Sequence, residues 1–128
     1  MKKEIFIIDD DPIYRLIVSK TIKNIDSSLP ITECENGEIG LAKLESTKNM
    51  DDEIIVLLDI NMPVSDGWDV LDELEKNNFH QLSLLSIYLV SSSTDKSDLI
   101  KSNAYKFIKG FISKPFKRED IKSVIGLQ

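Results

Sequence analysis

Several apolar runs of strand length in this chain each end at a charged or hydroxyl residue. The run 5–8 leads directly into three aspartates at 9–11, and the run 54–58 ends at Asp59. Short runs that are apolar throughout predict strands buried on both faces, each of which delivers the next side chain to the end of a sheet. The run 87–90 is followed by Ser91, and the shorter run 111–113 leads into Lys114. The sequence therefore predicts strand ends that carry carboxylates, a hydroxyl and one ammonium group.

Stretches with helical periodicity separate these runs. The first predicted helix begins near Pro12, a residue suited to a first helical turn. Its predicted inner stripe consists of Ile13, Leu16, Ile17, Val18, Ile22 and Ile25. Further strands are predicted at 31–35, 87–90 and 107–112, and further helices around 39–44, 66–76, 95–103 and 121–125. Strict alternation with right-handed crossovers predicts a three-layer α/β domain, in which helices cover both faces of a parallel sheet.

Open α/β sheets of this kind bind ligands beyond the carboxyl ends of their strands. The polar groups that follow the predicted strands all lie at such ends. They are Asp9, Asp10, Asp11, Asp59, Ser91 and Lys114. The sequence thus predicts one site at the carboxyl edge of the sheet.

Composition limits the classes of function that fit this chain. A length of 128 residues suits one domain, and a net charge of −6 argues against direct binding of nucleic acid phosphates. The one cysteine, Cys34, cannot form an internal disulfide, which fits a reducing compartment. The apolar run after Lys3 is too short for a signal peptide, and no stretch is long enough for a membrane span. We therefore expect a cytoplasmic protein.

The chemistry of the predicted site follows from its charges. Two carboxylates about 4 Å apart repel by about 4 kcal/mol at an effective dielectric of 20, so the cluster needs a cation. A few oxygen ligands completed by water favour Mg²⁺. The single histidine, His80, lies in a predicted loop and is interpreted as a solvated residue, not a catalytic base. A carboxylate beside Mg²⁺, a hydroxyl and a lysine suits phosphoryl transfer through an acyl phosphate on Asp59.

From about Lys3 to Gly126, the chain resembles a response-regulator receiver domain of the two-component signalling systems. The resemblance rests on the acidic set 9–12, the segment 59–67, the hydroxyl of Ser91 and the Lys114-Pro115 pair. It implies a doubly wound, flavodoxin-like (βα)5 fold with a five-stranded parallel sheet of order 2-1-3-4-5. It also implies a single receiver domain over residues 1–128 with no output domain.

The resemblance further implies that Asp59 accepts a phosphoryl group from a sensor histidine kinase or a histidine phosphotransfer protein. Mg²⁺ would be bound by Asp10, Asp59 and the backbone carbonyl of Asn61, with Asp9 acting through a metal-bound water. Lys114 would pair with the phosphoryl group, and the peptide bond before Pro115 would be cis.

The same resemblance implies a switch and an output surface. Ser91 would move in to bind a phosphoryl oxygen, and Phe111 stands where the family places a switching aromatic. Asn61 and Ser93 stand where the family tunes the dephosphorylation rate. The output would be binding of a downstream protein by the face of the fourth helix, fifth strand and fifth helix, with no catalysis beyond the domain's own phosphorylation and dephosphorylation.

Several of these assignments have structural alternatives. Asp11 fits a contact with the N-terminus of the following helix better than direct metal ligation. Ser92 and Ser93 suit plain helix caps, and Phe111 suits core packing. Trp68 is expected to be partly exposed at a helix start.

Two other functions are compatible with the same residues. One is a Mg²⁺-dependent phosphohydrolase that acts through an aspartyl phosphate, although no cap domain or substrate pocket is evident. The other is a receiver-like interaction module that is never phosphorylated. Departures from the family pattern, Ser92 in place of alanine and a stretch 103–109 without the usual Gly-Ala pair, leave the site intact. They concern the fourth helix and the output face.

Overall fold

The structure is a computed structural model that describes residues 3–46, 53–62, 66–76, 84–92, 96–105 and 107–126. The strands are β1 (Lys3–Ile8), β2 (Ile31–Cys34), β3 (Glu53–Asp59), β4 (Leu84–Ser91) and β5 (Ile108–Ser113). The helices are α1 (Pro12–Ile25), α2 (Gly37–Ser46), α3 (Gly67–Lys76), α4 (Lys96–Ser102) and α5 (Arg118–Val124). His80 and Ser93 lie outside the described residues, so their predicted roles stay predictions.

The strands form one parallel sheet of order β2-β1-β3-β4-β5, which confirms the predicted fold class and strand order. Ile8 pairs with Leu58, and Asp59 pairs with Val90. Ser91 pairs with Ser113, the last residue of β5. The register therefore brings the ends of β1, β3, β4 and β5 to one edge, where the predicted site residues follow them.

Two hydrophobic clusters fill the space between the sheet and its helices. Phe6 and Ile8 belong to the cluster that also contains residues of α2 and α3, whereas Ile5 and Ile7 belong to the cluster packed by α1 and α5. This alternation follows from the two-residue period of a strand. Because both faces of the central strands β1 and β3 are covered, the segments 5–8 and 54–58 within them are apolar throughout.

The inner face of α1 differs from the prediction. Val18 and Ile22 are buried, but Ile13, Leu16 and Ile17 are 67%, 50% and 50% exposed. Residues four apart lie on one face of a helix, and the face that contains Val18 and Ile22 is the one that packs on the sheet. The predicted apolar stripe of α1 was therefore too wide, and Ile13, Leu16 and Ile17 lie on the solvent-facing side of the helix.

Other elements differ from the predictions in extent or burial. Strand β4 begins at Leu84, where it pairs with Glu53, and not at Ile87. Trp68 is only 8% exposed, because its ring stacks on that of Tyr105 with centroids 6.1 Å apart. The prediction of a partly exposed Trp68 was wrong. None of the helices in the described parts of the chain has the length and apolar character needed to cross a membrane.

Candidate functional site

Three carboxylates meet at the carboxyl edge of the two central strands. Asp9 directly follows β1, Asp10 comes next, and Asp59 ends the neighbouring strand β3. One carboxylate oxygen from each lies within 4.8 Å of the others. Asp9 and Asp59 are 1% and 4% exposed, whereas Asp10 is exposed. The strand register therefore creates a partly buried acidic cluster from residues that are distant in sequence.

Lys114 supplies the positive charge of this cluster. Its Nζ lies 2.8 Å from Asp9 Oδ2 and 3.3 Å from Asp59 Oδ2. The contact with Asp59 is a directed hydrogen bond, whereas the buried Asp9 Oδ2 is paired by charge without a well-directed donor. The ammonium thus bridges two buried carboxylates that would otherwise repel each other.

Local backbone turns orient both of these carboxylates. Asp9 Oδ1 accepts a hydrogen bond from Asp11 N at 2.9 Å, and Asp59 Oδ1 accepts one from Asn61 N at 3.1 Å. An aspartate that bonds the backbone two residues on is a common turn geometry. Because each Oδ1 is held by its own turn, both Oδ2 atoms face Lys114.

The electrostatic balance of the cluster is still negative. Burial raises the pKa of Asp59 above its ordinary value, and the charge of Asp9 raises this pKa further. Hydrogen bonds from Asn61 and Lys114 lower it by less. Burial lowers the pKa of Lys114, but its contacts with Asp9 and Asp59 outweigh burial, so the pKa lies above its ordinary value. The lysine is therefore fully charged at neutral pH, and the excess of carboxylates favours a second cation.

The acidic cluster fits a magnesium ion by the chemistry of its donors. Asp9, Asp10 and Asp59 offer only oxygen atoms, and these are close enough to share one ion. Hard oxygen ligands with an exposed member that leaves access for water are typical of Mg²⁺ sites. The raised pKa of Asp59 points the same way, because a cation would relieve the repulsion that causes it.

The structure places the other predicted residues around this cluster in different ways. Ser91 is buried at the end of β4, two residues beyond Leu89, which pairs with Phe111. Phe111 is half-buried and packs against the same cluster as Leu89, so Ser91 and Phe111 follow one face of the sheet. The peptide bond between Lys114 and Pro115 is cis.

The carboxylate of Asp11 lies outside the acidic cluster of Asp9, Asp10 and Asp59. Its side chain accepts hydrogen bonds from Ile13 N at 2.9 Å and Tyr14 N at 3.3 Å, which makes it the N-cap of α1. This confirms the interpretation of Asp11 as a helix-terminus residue. Pro12 occupies the first turn, as the sequence predicts.

Sequence reasoning missed three residues that contact the site. Tyr14 lies with its ring 4.4 Å from Lys114 Nζ, and Arg15 Nη1 donates to Asp9 O at 2.6 Å. Gly67 lies so close to the backbone of Asp59 that a Cβ at this position would be 2.9 Å from Asp59 O. Their positions in the sequence could have indicated these contacts. Tyr14 and Arg15 lie near the start of the helix that directly follows the acidic residues 9–11. Gly67 likewise begins the helix after Asp59.

The chain is similar in sequence to known proteins. The family model described as response regulator receiver domain matches residues 5–126. Sensor histidine kinase CheAY of Helicobacter pylori is 30% identical over 119 residues, which cover 92% of this chain and 14% of that protein. Nitrate/nitrite response regulator protein NarL of Escherichia coli is 29% identical over 117 residues, which cover 91% of this chain and 50% of that protein. The chain thus spans half or less of the length of these relatives.

Solved structures show the same fold. Chemotaxis protein CheY4 of Vibrio cholerae superposes with a TM-score of 0.81 at 20% identity, covering 98% of both chains. A CheY-like receiver domain protein of Methanospirillum hungatei superposes with a TM-score of 0.73 at 26% identity, covering 96% of this chain and 90% of that one. The fold and the site define a doubly wound α/β domain with a lysine-paired acidic cluster at the carboxyl edge of its sheet. The chain belongs to the response regulator receiver domain family.

Proposed function

We propose that this domain is a phosphorylatable switch of a two-component phosphorelay, in which Asp59 is the phosphoacceptor. The observation that carries this proposal is the shared ammonium of Lys114, 2.8 Å from Asp9 and 3.3 Å from Asp59. Asp59 is buried, pairs with a lysine and lies beside a second carboxylate. Such a carboxylate is suited to accept an anionic group together with a cation. The phosphoryl donor is the phosphohistidine of a sensor histidine kinase or a histidine phosphotransfer protein.

In the transfer step, one oxygen of the Asp59 carboxylate forms a bond to phosphorus. The phosphorus–nitrogen bond of the phosphohistidine breaks, and the imidazole nitrogen leaves with the electron pair of that bond. Lys114 pairs with the phosphoryl oxygens, for which its position beside Asp59 Oδ2 prepares it. The Asn61 backbone N–H keeps the Asp59 side chain in one orientation during the step.

Magnesium fits the same cluster and would be held by Asp10, Asp59 and the backbone carbonyl of Asn61, with Asp9 acting through water. When bound, it supplies positive charge that stabilises the phosphoryl oxygens. Asn61 and Ser93 tune the later hydrolysis of the aspartyl phosphate. The domain catalyses only its own phosphorylation and dephosphorylation.

The phosphoryl group then changes an existing conformational equilibrium. It adds about −1.5 to −2 charges at neutral pH. Ser91 moves to donate a hydrogen bond to a phosphoryl oxygen, and Phe111, on the same face of the sheet, changes its rotamer with it. The changed surface is the face of α4, β5 and α5, where Leu99 and Ile100 of α4 are 44% and 71% exposed. A downstream protein binds that face.

The test is the intact mass of the protein after incubation with phosphoramidate and Mg²⁺. Wild type is expected to gain one phosphoryl group, and Asp59→Asn is expected to gain none. EDTA should abolish the wild-type gain. Asp11→Asn is the matched control, because it removes a neighbouring carboxylate that caps α1 and lies outside the cluster. It should be phosphorylated like wild type.

Three results would overturn the proposal. Equal phosphorylation of wild type and Asp59→Asn would exclude Asp59 as the acceptor. No wild-type adduct, together with no binding of the phosphoryl mimic beryllofluoride, would favour an interaction module that is not phosphorylated. Turnover of a phosphomonoester at a rate above that of Asp59→Asn would instead indicate a phosphohydrolase.

A further inference from the structure

The ring of Tyr14 lies against the Lys114 ammonium, beside its contacts with the two carboxylates. The ammonium lies 4.4 Å from the ring centroid, within the distance of about 6 Å at which a cation is attracted to an aromatic face. The same nitrogen also contacts Asp9 and Asp59. Lys114 is therefore held by two anions and one aromatic ring.

Two neighbouring segments fix the ring in this place. Tyr14 lies in the first turn of α1, and its backbone N–H donates to the capping side chain of Asp11 at 3.3 Å. The ring also meets the edge of Phe116, with centroids 5.9 Å apart and planes at 88°. Phe116 follows the Lys114-Pro115 segment, so the start of α1 and the exit of β5 both hold the aromatic face.

This arrangement affects Lys114 because a lysine side chain is long and flexible. Its ammonium is a point charge on a four-carbon stem, without the planar geometry that orients an arginine. The side chain is 23% exposed, so solvent competes with Asp9 and Asp59 for its hydrogen bonds. An aromatic face in contact with the ammonium reduces the number of positions that it can adopt.

We infer that Tyr14 is a positioning residue, whose ring holds the Lys114 ammonium against Asp9 and Asp59 in the place where it meets an incoming phosphoryl group. The last part of this inference rests on the proposed function. The phenol stays neutral in this setting, because burial and the charges of Asp9 and Asp59 raise the pKa of Tyr14. The ring thus keeps the neutral face that attracts a cation.

Tyr14 also packs against the hydrophobic cluster of α1 and α5, so a test must separate the electrostatics of the ring from its volume. Fluorinated phenylalanines do this, because each fluorine withdraws electron density from the ring face with little change in size. We would compare Tyr14→Phe with its 4-fluoro, 3,5-difluoro and 3,4,5-trifluoro analogues at the same position. The readout is the rate of phosphorylation by phosphoramidate at saturating Mg²⁺.

Tyr14→Phe is expected to keep the wild-type rate within about twofold, because it retains the ring face. The rate should then fall stepwise with each added fluorine, to about one fifth of the phenylalanine rate for the trifluoro variant, and Tyr14→Leu should be at least as slow. Tyr88→Leu is the matched control, since it removes another half-buried tyrosine from the same cluster without touching the ammonium. It should leave the rate unchanged.

Equal phosphorylation rates across the fluorinated series would overturn the inference, whatever the rate of Tyr14→Leu. A slow Tyr14→Leu in that case would show that the ring acts by packing alone. A second readout, the proton NMR spectrum, is independent of phosphorylation. The methylene protons beside Lys114 Nζ should show an upfield ring-current shift in wild type and in Tyr14→Phe. Tyr14→Leu should lose this shift. If wild type shows the shift but takes up no phosphoryl group, the proposed function fails and the positioning of Lys114 stands. If wild type shows no shift, the positioning fails whatever the outcome of phosphorylation.

Discussion

Gly67 is the position at which a single added methyl group should damage the site most directly. It is the first residue of α3, and its N–H donates to Ile60 O at 3.0 Å. A Cβ at this position would lie 2.9 Å from both Asp59 O and Ile60 Cα, where ordinary contacts begin at about 3.4 Å. Both atoms belong to the backbone that leaves β3, so neither can rotate away. The substitution Gly67→Ala must therefore displace the start of α3 or the phosphoacceptor segment.

The size of the effect follows from two opposing terms. Overpacking of this kind typically costs about 1–3 kcal/mol. Alanine regains at most about 1 kcal/mol over glycine inside a helix, and less in a first turn. We expect a net loss of about 1–2 kcal/mol in the free energy of unfolding, which corresponds to a fall of about 4–8 °C in the melting temperature. Urea unfolding followed by circular dichroism would measure the loss.

Gly110→Ala, in strand β5, provides a matched comparison within the same domain. A Cβ on Gly110 would meet Tyr88 Cδ2 at 3.5 Å, an ordinary contact. This variant should be neutral or more stable than wild type by up to about 1 kcal/mol, because alanine reduces the freedom of the unfolded chain. Calorimetric titration should also show weaker Mg²⁺ binding for Gly67→Ala alone. If Gly67→Ala were as stable as wild type and bound Mg²⁺ equally well, the close packing of α3 on the Asp59 backbone would be refuted.

Three further variants test other contacts. Asp11→Ala should lower the free energy of unfolding, measured by urea denaturation, by about 1 kcal/mol because the N-cap of α1 is lost. A change in the Mg²⁺ affinity measured by calorimetry would contradict the placement of the Asp11 side chain outside the acidic cluster. Asp59→Asn should raise the melting temperature of the protein in EDTA near neutral pH. Burial, and then the charge of Asp9, raise the pKa of Asp59 in the folded protein. Protonation of Asp59 therefore stabilises the folded state, and this stability is lost as pH rises through the raised pKa. The difference in melting temperature between the variant and wild type should shrink as pH falls. A difference that grew as pH fell would show that the pKa of Asp59 is lowered and not raised. Tyr105→Phe should lower the free energy of unfolding by about 1 kcal/mol, because its hydroxyl donates to Asp72, and unchanged urea denaturation would show that this bond contributes nothing.

The sequence was most informative about the ends of the strands. Acidic residues follow the apolar segment of β1 and end that of β3, so both the buried strands and their polar ends can be recognised without a structure. A parallel sheet then requires these ends to share one edge. The juxtaposition of Asp9, Asp59 and Lys114 follows from that requirement and from no local signal.

The side-chain environment of the helices was less predictable. Ile13 and Val18 are equally apolar, yet Ile13 is exposed and Val18 is buried, because the angle at which α1 packs on the sheet decides between them. Trp68 is buried by Tyr105, a residue from a distant segment. The position of Tyr14 over Lys114 likewise depends on two segments that meet only in the folded molecule. Periodicity gives the existence of a helix but not its rotation about its own axis.

The ion pair between Asp9 and Lys114 joins the first strand of the chain to the exit of the last one. A chain synthesised from its N-terminus thus assembles its carboxylates before their ammonium partner exists, and the edge of the sheet stays electrostatically incomplete until β5 has paired with β4. A fragment that ends before Lys114 would retain Asp59 and its neighbours but would lack the group that neutralises them. Competence of this edge for chemistry therefore depends on completion of the sheet by β5.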